Sequence, residues 1–374
     1  MRLIFASGRD YLPDRVDGAI LSVHTLLELL RARGHECEAL AGISAGSLLR
    51  ASVYRARRLL TRRSVPGWAD RDNGYATYRA WSGLVPELLK VRMAALRPDL
   101  VLTQLEGSEA IATAAVQASI PAVLFVQDAE FRWHQGALAD NPLVLFVAAS
   151  QFVTGRVAER LGRDAPYVYP IVQFERYLVT DRRPRFVTMV NPAKEKGIDV
   201  ALEVARRLPH REFLFVETWP LSGARRRELK ASLAGLPNVR LRKRTLDMRE
   251  VYRETALLLA PSQWNEAFGR VLLEAQVSGI PVVASRIAGI PEAVRSGAIL
   301  LPPAESPARW AEAVEGVLSD PTAYQRLAEE ARANVRREEF NPSALAERFL
   351  TVVWNHLDRC RNLARPESSR DAAG

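Results

Sequence analysis

Residues 261–285 read P-S-Q-W-N-E-A-F-G-R-V-L-L-E-A-Q-V-S-G-I-P-V-V-A-S, and together with the short segment before them they decide the fold. Residues 257–260 form an apolar run typical of a buried parallel strand, which a Pro-Ser pair ends. A glycine then opens a helix that is almost wholly apolar over residues 271–277, and another apolar strand is predicted at residues 282–284. The stretch therefore predicts a strand, a loop, a helix and a second strand, which is the repeating unit of parallel α/β layers.

Two carboxylates bracket the junction between this loop and this helix. Glu274 lies on the helix among apolar neighbours, where an isolated carboxylate needs hydrogen-bond donors, and the two hydroxyls of a ribose diol would supply them. Glu266 precedes the helix, whose free N–H groups and positive dipole end suit a diphosphate. The element thus predicts one site for phosphate, sugar and ribose. In the alternative without a ligand, Glu266 is a charge at a helix terminus and Glu274 is solvated.

The same stretch resembles the E-x7-E signature of retaining family-4 glycosyltransferases, which have the GT-B fold of two Rossmann-like domains facing each other across a cleft. Glu266 and Glu274 have the spacing of the signature, and the flanking P-S, E-A-F-G, S-G-I-P-V-V-A-S and A-G-I-P-E sequences match as well. The resemblance implies that Glu266 contacts the donor sugar and that Glu274 binds the ribose. It also implies that the backbone of Phe268 and Gly269 lies at the phosphates, with Arg270 among the donor-binding residues.

A second part of the donor site is expected after a strand predicted at residues 186–190. Members of the resembled family carry a glycine-arginine turn here, followed by Lys-Gly, and the two cations neutralise the donor diphosphate. Lys196 and Gly197 match, although a solvated loop lysine is the alternative, and Asn191 occupies the arginine position. A neutral amide lacks the charge that stabilises a departing phosphate, a contribution of about 2–4 kcal/mol. Lys194 is the candidate for the missing charge.

In the N-terminal half, two residues are candidates for contact with substrates. Gly18 precedes a helix predicted at residues 19–33, and a glycine there lets backbone N–H groups approach a phosphate, as the resembled family does with its first loop. Asp128 follows a strand predicted at residues 122–126, at the sheet edge where α/β folds bind ligands. Many members of the family have a histidine near this place that contacts the donor sugar, and here Gln127 and Asp128 occupy the vicinity. Asp128 is a catalytic candidate on the acceptor side, with capping of its own loop or solvation in it as the alternative.

The alternation of short apolar strands with helical patterns runs through the whole chain of 374 residues, which is long for one core. With the resemblance, this predicts the α/β GT-B architecture, closed by a C-terminal helix that returns to the first domain. We place an acceptor-binding domain at residues 1–170, a nucleotide-sugar-binding domain at 171–340, the returning helix at 341–363 and a disordered tail at 364–374. The remaining predicted strands are residues 3–6, 37–41, 75–78, 100–103, 145–148, 213–216, 239–241 and 298–301.

The charge balance predicts anionic partners, since 52 lysines and arginines against 43 acidic residues give a net charge of +9. Residues 50–63 hold the densest arginine cluster, and a helical projection places Arg55, Arg58 and Arg62 on one face. This basic amphipathic helix is expected either to pack on its own domain or to lie on an anionic membrane surface near a saccharide or lipid-linked acceptor. Nucleic acid is not expected, because no recognition motif accompanies the arginines.

No apolar run reaches the ~20 residues of a membrane span, and the apolar run at the N-terminus is too short for a signal peptide. We therefore expect a cytoplasmic protein, peripheral at the inner membrane face if the arginine face binds lipid. Cys37 and Cys360 lack paired spacing. The Asp70-Arg71-Asp72 sequence is a weak match to a D-x-D metal motif, so we expect metal-independent chemistry with the nucleotide diphosphate sugar as co-substrate and no cofactor.

The sequence thus predicts a retaining glycosyltransferase that moves a hexosyl unit from a nucleotide diphosphate sugar to a hydroxyl acceptor. Synthesis of cell-surface polysaccharide or glycolipid is the expected setting. Two alternatives remain: a sugar-nucleotide-binding protein without catalysis, which Asn191 and the missing histidine favour, and a GT-B sugar-nucleotide epimerase or phosphorylase.

Overall fold

The computed structural model describes residues 1–43, 52, 67–133, 136–218, 222–245 and 247–363, and the chain divides into two units. Unit 1 consists of Met1–Val16, Val23–Tyr169 and the chain from Ser343 onward. Unit 2 consists of Asp17–Ser22 and Pro170–Pro342. The sequence placed these changes of domain at residues 170 and 340. Residues 364–374, predicted as a disordered tail, lie outside the described residues.

In the described part of unit 1, seven strands form one sheet in the order β3-β4-β2-β1-β5-β6-β7. All neighbours are parallel except β3, which pairs antiparallel with β4 at the edge. Strands β5, β6 and β7 are buried along their whole length, as expected for a parallel sheet covered on both faces. The strands are β1 Arg2–Ser7, β2 Glu36–Ile43, β3 Trp68–Asp70, β4 Thr77–Trp81, β5 Leu100–Gln104, β6 Ala122–Val126 and β7 Val144–Ala148.

The helices described in unit 1 lie between these strands and at the C-terminus. They are α1 Gly18–Ala32, whose first turn belongs to unit 2, α2 Val85–Leu96, α3 Ser108–Gln117, α4 Gln151–Leu161 and α12 Pro342–Leu363. Helix α12 packs within unit 1: His356 Nε2 lies 3.2 Å from the carbonyl oxygen of Leu143, and Arg348 donates to that of Tyr167 at 2.8 Å. The helix continues to Leu363, because its last residues contain no breaker and bury Cys360.

Unit 2 has a six-stranded sheet among its described residues, parallel throughout, in the order β10-β9-β8-β11-β12-β13. The strands are β8 Phe186–Val190, β9 Glu212–Val216, β10 Val239–Arg242, β11 Thr255–Ala260, β12 Val282–Ser285 and β13 Ala298–Leu301. The helices are α5 Ile198–Arg207, α6 Gly223–Leu233, α7 Arg249–Glu254, α8 Arg270–Gln276, α9 Ile290–Val294, α10 Pro307–Ser319 and α11 Pro321–Val335. The apolar faces of α5 and α10 cover the sheet with residues such as Trp310.

The predicted α/β fold class is confirmed, and each strand predicted in unit 2 lies within two residues of an observed one. In unit 1, the strand predicted at residues 75–78 is displaced to Thr77–Trp81. Strand β3 was not predicted. Its three residues are polar or partly exposed and pair only at the sheet edge, so no buried apolar run marks them.

The strand order of unit 2 places a topological switch point between β8 and β11. From β8 the chain continues to β9 and β10 on one side, and it then returns to β11 on the other side. In open α/β sheets, ligands bind in the crevice outside the carboxyl ends of the strands at such a point. The loops that follow Val190 and Ala260 are therefore the expected place for a ligand.

Candidate functional site

A hollow lies at the carboxyl ends of β8 and β11, at the switch point of the unit 2 sheet. Its volume is about 410 Å³, part of which is open to solvent. The polar side chains of its lining belong to Asn191, Lys196, Ser262 and Glu266, and Gly269 and apolar residues complete it. Lys196 and Glu266 were predicted to act on the same donor, and the structure brings them together here.

Lys196 and Glu266 form an ion pair inside the hollow. The Lys196 ammonium contacts Oε1 of Glu266, and the Ser262 hydroxyl lies 3.0 Å from the same oxygen. The Lys196 and Glu266 side chains are only 17% and 14% exposed, so water screens their charges less than at the surface. The Lys196 ammonium also lies 5.4 Å from the centre of the Trp264 ring, within the range of a cation–π contact.

A tight turn after β8 brings Lys196 to the loop that carries Glu266. The turn, Lys194–Lys196, is a single 3₁₀ turn that ends at Gly197, whose φ is +80°. A Cβ on Gly197 would lie 1.9 Å from the carbonyl oxygen of Pro261, so only glycine allows this approach. The backbone N–H of Gln263 donates to the carbonyl oxygen of Glu195 at 2.9 Å and fixes the two segments together.

Replacing Gly197 by alanine is expected to destabilise unit 2 by at least about 2 kcal/mol, because the new methyl group combines a left-handed backbone with a clash against backbone. The thermal unfolding midpoint measures this change. Gly235→Ala is the matched control, since no described atom lies within 4 Å of a Cβ built at that position. Equal midpoints for the two variants would contradict the prediction.

The loop of Glu266 is held from the opposite side by the A-G-I-P-E segment. The N–H of Gly289 donates to the carbonyl oxygen of Glu266 at 2.9 Å, and a Cβ on Gly289 would lie 2.2 Å from the oxygen of Ala267. Phe268 points into the core, where its ring meets Phe340 edge-on at 6.0 Å. Gly269, with φ +95°, precedes helix α8. The role predicted for the backbone of Phe268 and Gly269 at the phosphates stays a prediction.

Asn191 has a structural reason to replace the expected arginine. Its φ is +59°, in the left-handed region that asparagine tolerates better than most residues. Its side-chain oxygen accepts hydrogen bonds from both the N–H and the hydroxyl of Thr218, which links the ends of β8 and β9. Lys194 does not line the hollow: its side chain is 74% exposed and lies 3.8 Å from Glu228. This placement does not favour Lys194 as the substitute for the missing arginine.

Glu274 is buried, so the solvated alternative is wrong. The residue is 7% exposed, and its two carboxylate oxygens have different donors. Arg270 Nε lies 3.3 Å from Oε1, and the Tyr252 hydroxyl donates to Oε2 at 3.1 Å. The sequence predicted that the hydroxyl groups of a ribose donate hydrogen bonds to Glu274. The protein itself supplies part of these donors. The contact with Tyr252 was not predicted from the sequence, since this tyrosine lies in no motif.

Arg270 was predicted as a donor-binding residue, but its guanidinium contacts protein atoms. It donates to the carbonyl oxygen of Ile171 at 2.7 Å and to the Tyr177 hydroxyl at 3.3 Å, in addition to Glu274. A Cβ on Gly18 would lie 3.3 Å from Arg270 Cδ, so the glycine leaves room for this side chain. Contact between Gly18 and a phosphate stays a prediction.

Asp128 in unit 1 adopts the alternative role considered from the sequence, that of capping its own loop. One carboxylate oxygen accepts from the N–H of Glu130 at 3.0 Å and the other from that of Arg132 at 2.8 Å. Its catalytic role stays a prediction. Arg55, Arg58 and Arg62, the predicted acceptor or membrane face, lie outside the described residues.

The weak D-x-D match has a structural explanation. Asp70 ends strand β3 and accepts from the buried Arg79 at 2.6 Å, so its carboxylate belongs to an ion pair. Among the described residues, no group of three or more histidines, cysteines or carboxylates is arranged to hold a metal ion. Within the same described ranges, every helix is too short or too polar to cross a membrane.

Known proteins resemble parts of the sequence. Residues 173–334 match the family model described as Glycosyl transferases group 1. A D-inositol 3-phosphate glycosyltransferase of Nocardia farcinica is 32% identical over 182 residues, which cover 45% of this chain and 40% of that protein. The enzyme of the same name from Corynebacterium glutamicum is 42% identical over 87 residues, 23% of this chain and 21% of its own. The aligned segments therefore span less than half of these relatives.

Solved structures resemble nearly the whole chain. Sucrose-phosphate synthase from Thermosynechococcus elongatus has a TM-score of 0.77 at 17% identity and covers 95% of this chain and 98% of its own. Anabaena Alr3699/HepE in complex with UDP-glucose has a TM-score of 0.75 at 19% identity, with 95% and 100% coverage. At such identities the likeness concerns the fold.

Proposed function

We propose that the protein transfers a hexosyl unit from a nucleotide diphosphate sugar to a hydroxyl acceptor, because residues 173–334 match the group 1 glycosyl transferase model and the chain has the GT-B fold. The observation that carries the proposal is the Lys196–Glu266 ion pair in the hollow at the switch point. A uridine diphosphate sugar is the first donor to test, because the similar Anabaena protein is described in complex with UDP-glucose.

In the proposed complex, the ion pair separates and each member binds part of the donor. The Lys196 ammonium exchanges the Glu266 carboxylate for a diphosphate oxygen and stabilises the leaving nucleotide, while Glu266 accepts hydrogen bonds from sugar hydroxyls. Both groups lie on one rigidly connected backbone, so little reorganisation is needed when charge develops. Asn191 lines the same hollow and adds an amide rather than a charge.

We assign the retaining outcome and the metal-independent course to the resemblance in the E-x7-E stretch. The acceptor hydroxyl forms a bond to the anomeric carbon on the face that the nucleotide leaves, and the bond from that carbon to the phosphate oxygen breaks. The acceptor proton passes to an oxygen of the departing phosphate, which balances the charge of the step. This mechanism needs positioned charges such as Lys196 more than a protein base.

Two observations suggest which acceptors to test. The relatives named D-inositol 3-phosphate glycosyltransferases make an inositol phosphate the first acceptor to test. The arginine face of residues 50–63 motivates a saccharide or lipid-linked acceptor at an anionic membrane surface, and it lies outside the described residues. Incubating the protein with labelled UDP-sugars and each type of acceptor distinguishes glycosyl transfer from binding of the sugar nucleotide without catalysis. Nucleotide release only with acceptor present supports transfer, whereas tight binding without turnover supports the sugar-nucleotide-binding alternative.

Glu266→Gln is expected to lower transfer at least about 100-fold, because the sugar loses a charged acceptor of its hydroxyl hydrogen bonds. UDP alone is expected to bind at least as tightly as to the wild type, since Lys196 no longer has a competing carboxylate. Initial rates and calorimetric titration with UDP measure the two effects. Glu195→Gln is the control, because its carboxylate is 37% exposed and 3.9 Å from Arg225. Unchanged transfer by Glu266→Gln would remove the proposed role.

A further inference from the structure

The carboxylate of Glu274 lies in a buried cluster of four polar side chains in unit 2. Its members are at most 8% exposed and are Tyr177, Tyr252, Arg270 and Glu274. Each carboxylate oxygen accepts one protein hydrogen bond, Oε1 from Arg270 and Oε2 from the Tyr252 hydroxyl. The two tyrosine rings also meet edge-on, with 6.5 Å between their centres.

Arg270 is held at several points at once. It precedes Glu274 by one helical turn, so both side chains lie on the same face of α8. Its two terminal nitrogens donate to the Ile171 carbonyl and the Tyr177 hydroxyl, which leaves Nε for Glu274. Tyr177 is fixed in turn, because its carbonyl oxygen accepts from the Ser278 hydroxyl at 3.2 Å. A planar guanidinium satisfies these partners together, and a lysine cannot.

Tyr252 is a constant donor to Glu274. Burial, with the nearby Glu274 charge, raises the pKa of Tyr252 well above its ordinary value, so the hydroxyl keeps its proton. Burial also raises the pKa of Tyr177 to about 12. At neutral pH both tyrosine hydroxyls are therefore neutral, and Tyr252 can donate to Glu274.

The number of donors matters as much as their identity. Each carboxylate oxygen has two acceptor positions, and among the residues that the structure describes one donor reaches each oxygen. With these described donors in place, one acceptor position remains on each oxygen, and a cis-diol supplies a matching pair of hydroxyls. Since Arg270 and Tyr252 fix the plane of the carboxylate, they also fix the direction of the remaining positions.

From this geometry we infer that Arg270 and Tyr252 are positioning residues, which hold Glu274 in the one orientation that accepts both ribose hydroxyls of the donor nucleotide. The inference rests on the proposed function, in which Glu274 binds the ribose. It replaces the donor-binding role predicted for Arg270 by an indirect one. The consequence is discrimination between a nucleotide with a ribose diol and one without it.

The test is the ratio of dissociation constants for 2′,3′-dideoxy-UDP and UDP, measured by calorimetry on the full chain. We expect the ratio to be at least about 10 for the wild type, since two hydrogen bonds to a charged group are lost. Glu274→Ala should bring it close to 1. Tyr252→Phe, which removes one oxygen and keeps the packing, and Arg270→Met should each lower the ratio at least threefold.

Matched controls separate positioning from stability. Arg182→Met removes hydrogen bonds from a guanidinium to the carbonyl oxygens of Thr255 and Gly279, and Tyr324→Phe removes one to that of Ala256. Both should lower the unfolding midpoint and leave the ratio at the wild-type value. The inference is overturned if Tyr252→Phe and Arg270→Met keep the wild-type ratio while Glu274→Ala loses it, and the proposed function then stands. Absence of UDP binding, or an unchanged ratio in Glu274→Ala, would overturn the ribose site itself.

Discussion

Replacing Lys196 by methionine is expected to lower the rate of glycosyl transfer by about 100- to 1,000-fold, the usual effect of removing one preorganised group that stabilises transition-state charge. The variant keeps the length and apolar stem of the side chain. It also leaves the Glu266 carboxylate, 14% exposed, without its cation, so UDP binding should weaken as well. Initial rates at saturating donor and titration with UDP measure the two effects separately.

The double variant Lys196→Met/Glu266→Gln distinguishes charge repulsion from loss of the cation. It should recover part of the UDP affinity, because the unpaired carboxylate is gone, and it should remain slow in transfer. Lys194→Met is the matched control: that ammonium is exposed beside Glu228, and a change of less than twofold is expected. A loss in Lys194→Met as large as in Lys196→Met would show that the donor charge comes from the other lysine.

A second large effect is expected in unit 1, where Arg79→Met should lower the free energy of unfolding by about 3–5 kcal/mol. Arg79 is 1% exposed, and its guanidinium lies 2.6 Å from a carboxylate oxygen of Asp70 and 3.5 Å from one of Asp14. It also donates to the carbonyl oxygen of Leu12 at 2.5 Å. Methionine would leave these acceptors buried or half-buried without their donor.

Urea unfolding followed by tryptophan fluorescence measures this loss. Lys90→Met is the control, because its ammonium and the Glu87 carboxylate are 51% and 57% exposed, and such pairs contribute less than about 1 kcal/mol. The loss in free energy of unfolding for Arg79→Lys should lie between those for Arg79→Met and Lys90→Met. Lysine keeps the positive charge but lacks the several N–H donors of the guanidinium. A difference of less than about 1 kcal/mol between Arg79→Met and the wild type would show that these ion pairs contribute little.

The parts of the fold that depend on local pattern could be predicted from the sequence. The buried strands of unit 2 are short apolar runs bounded by proline, glycine and polar residues, and they lie where the pattern indicates. The displaced strand in unit 1 shows the limit of this reasoning. Tyr75 is 1% exposed, as a strand residue would be, yet its hydroxyl belongs to a buried network with Tyr11 and His24 before β4 begins.

The residues of the candidate site also fall into those that could be predicted from the sequence and those that could not. Lys196 and Glu266 could be predicted because each lies in a motif next to a strand, and the strand order then brings the loops together. The donors to Glu274 could not be predicted in full. Tyr252 is 22 residues away along the chain, and the contact of Arg270 with Tyr177 spans 93. No local pattern carries information at such separations.

Asn191 shows a third kind of limit. From the sequence it is a missing arginine, which raises doubt about catalysis. In the structure it is a residue with a positive φ whose amide joins two strand ends through Thr218. Backbone conformation and a partner 27 residues away explain the amide, and neither is visible in a motif.

The approach of Gly197 to Pro261 has a consequence for the redesign of this protein. Two loops far apart in the chain meet here at the backbone, and the contact depends on the lack of a side chain at Gly197. Altered sugar preference is therefore best sought around Trp264, whose ring lies beside Lys196, with the contact between Gly197 and Pro261 left unchanged. Libraries that randomise residue 197 would mostly yield misfolded chains.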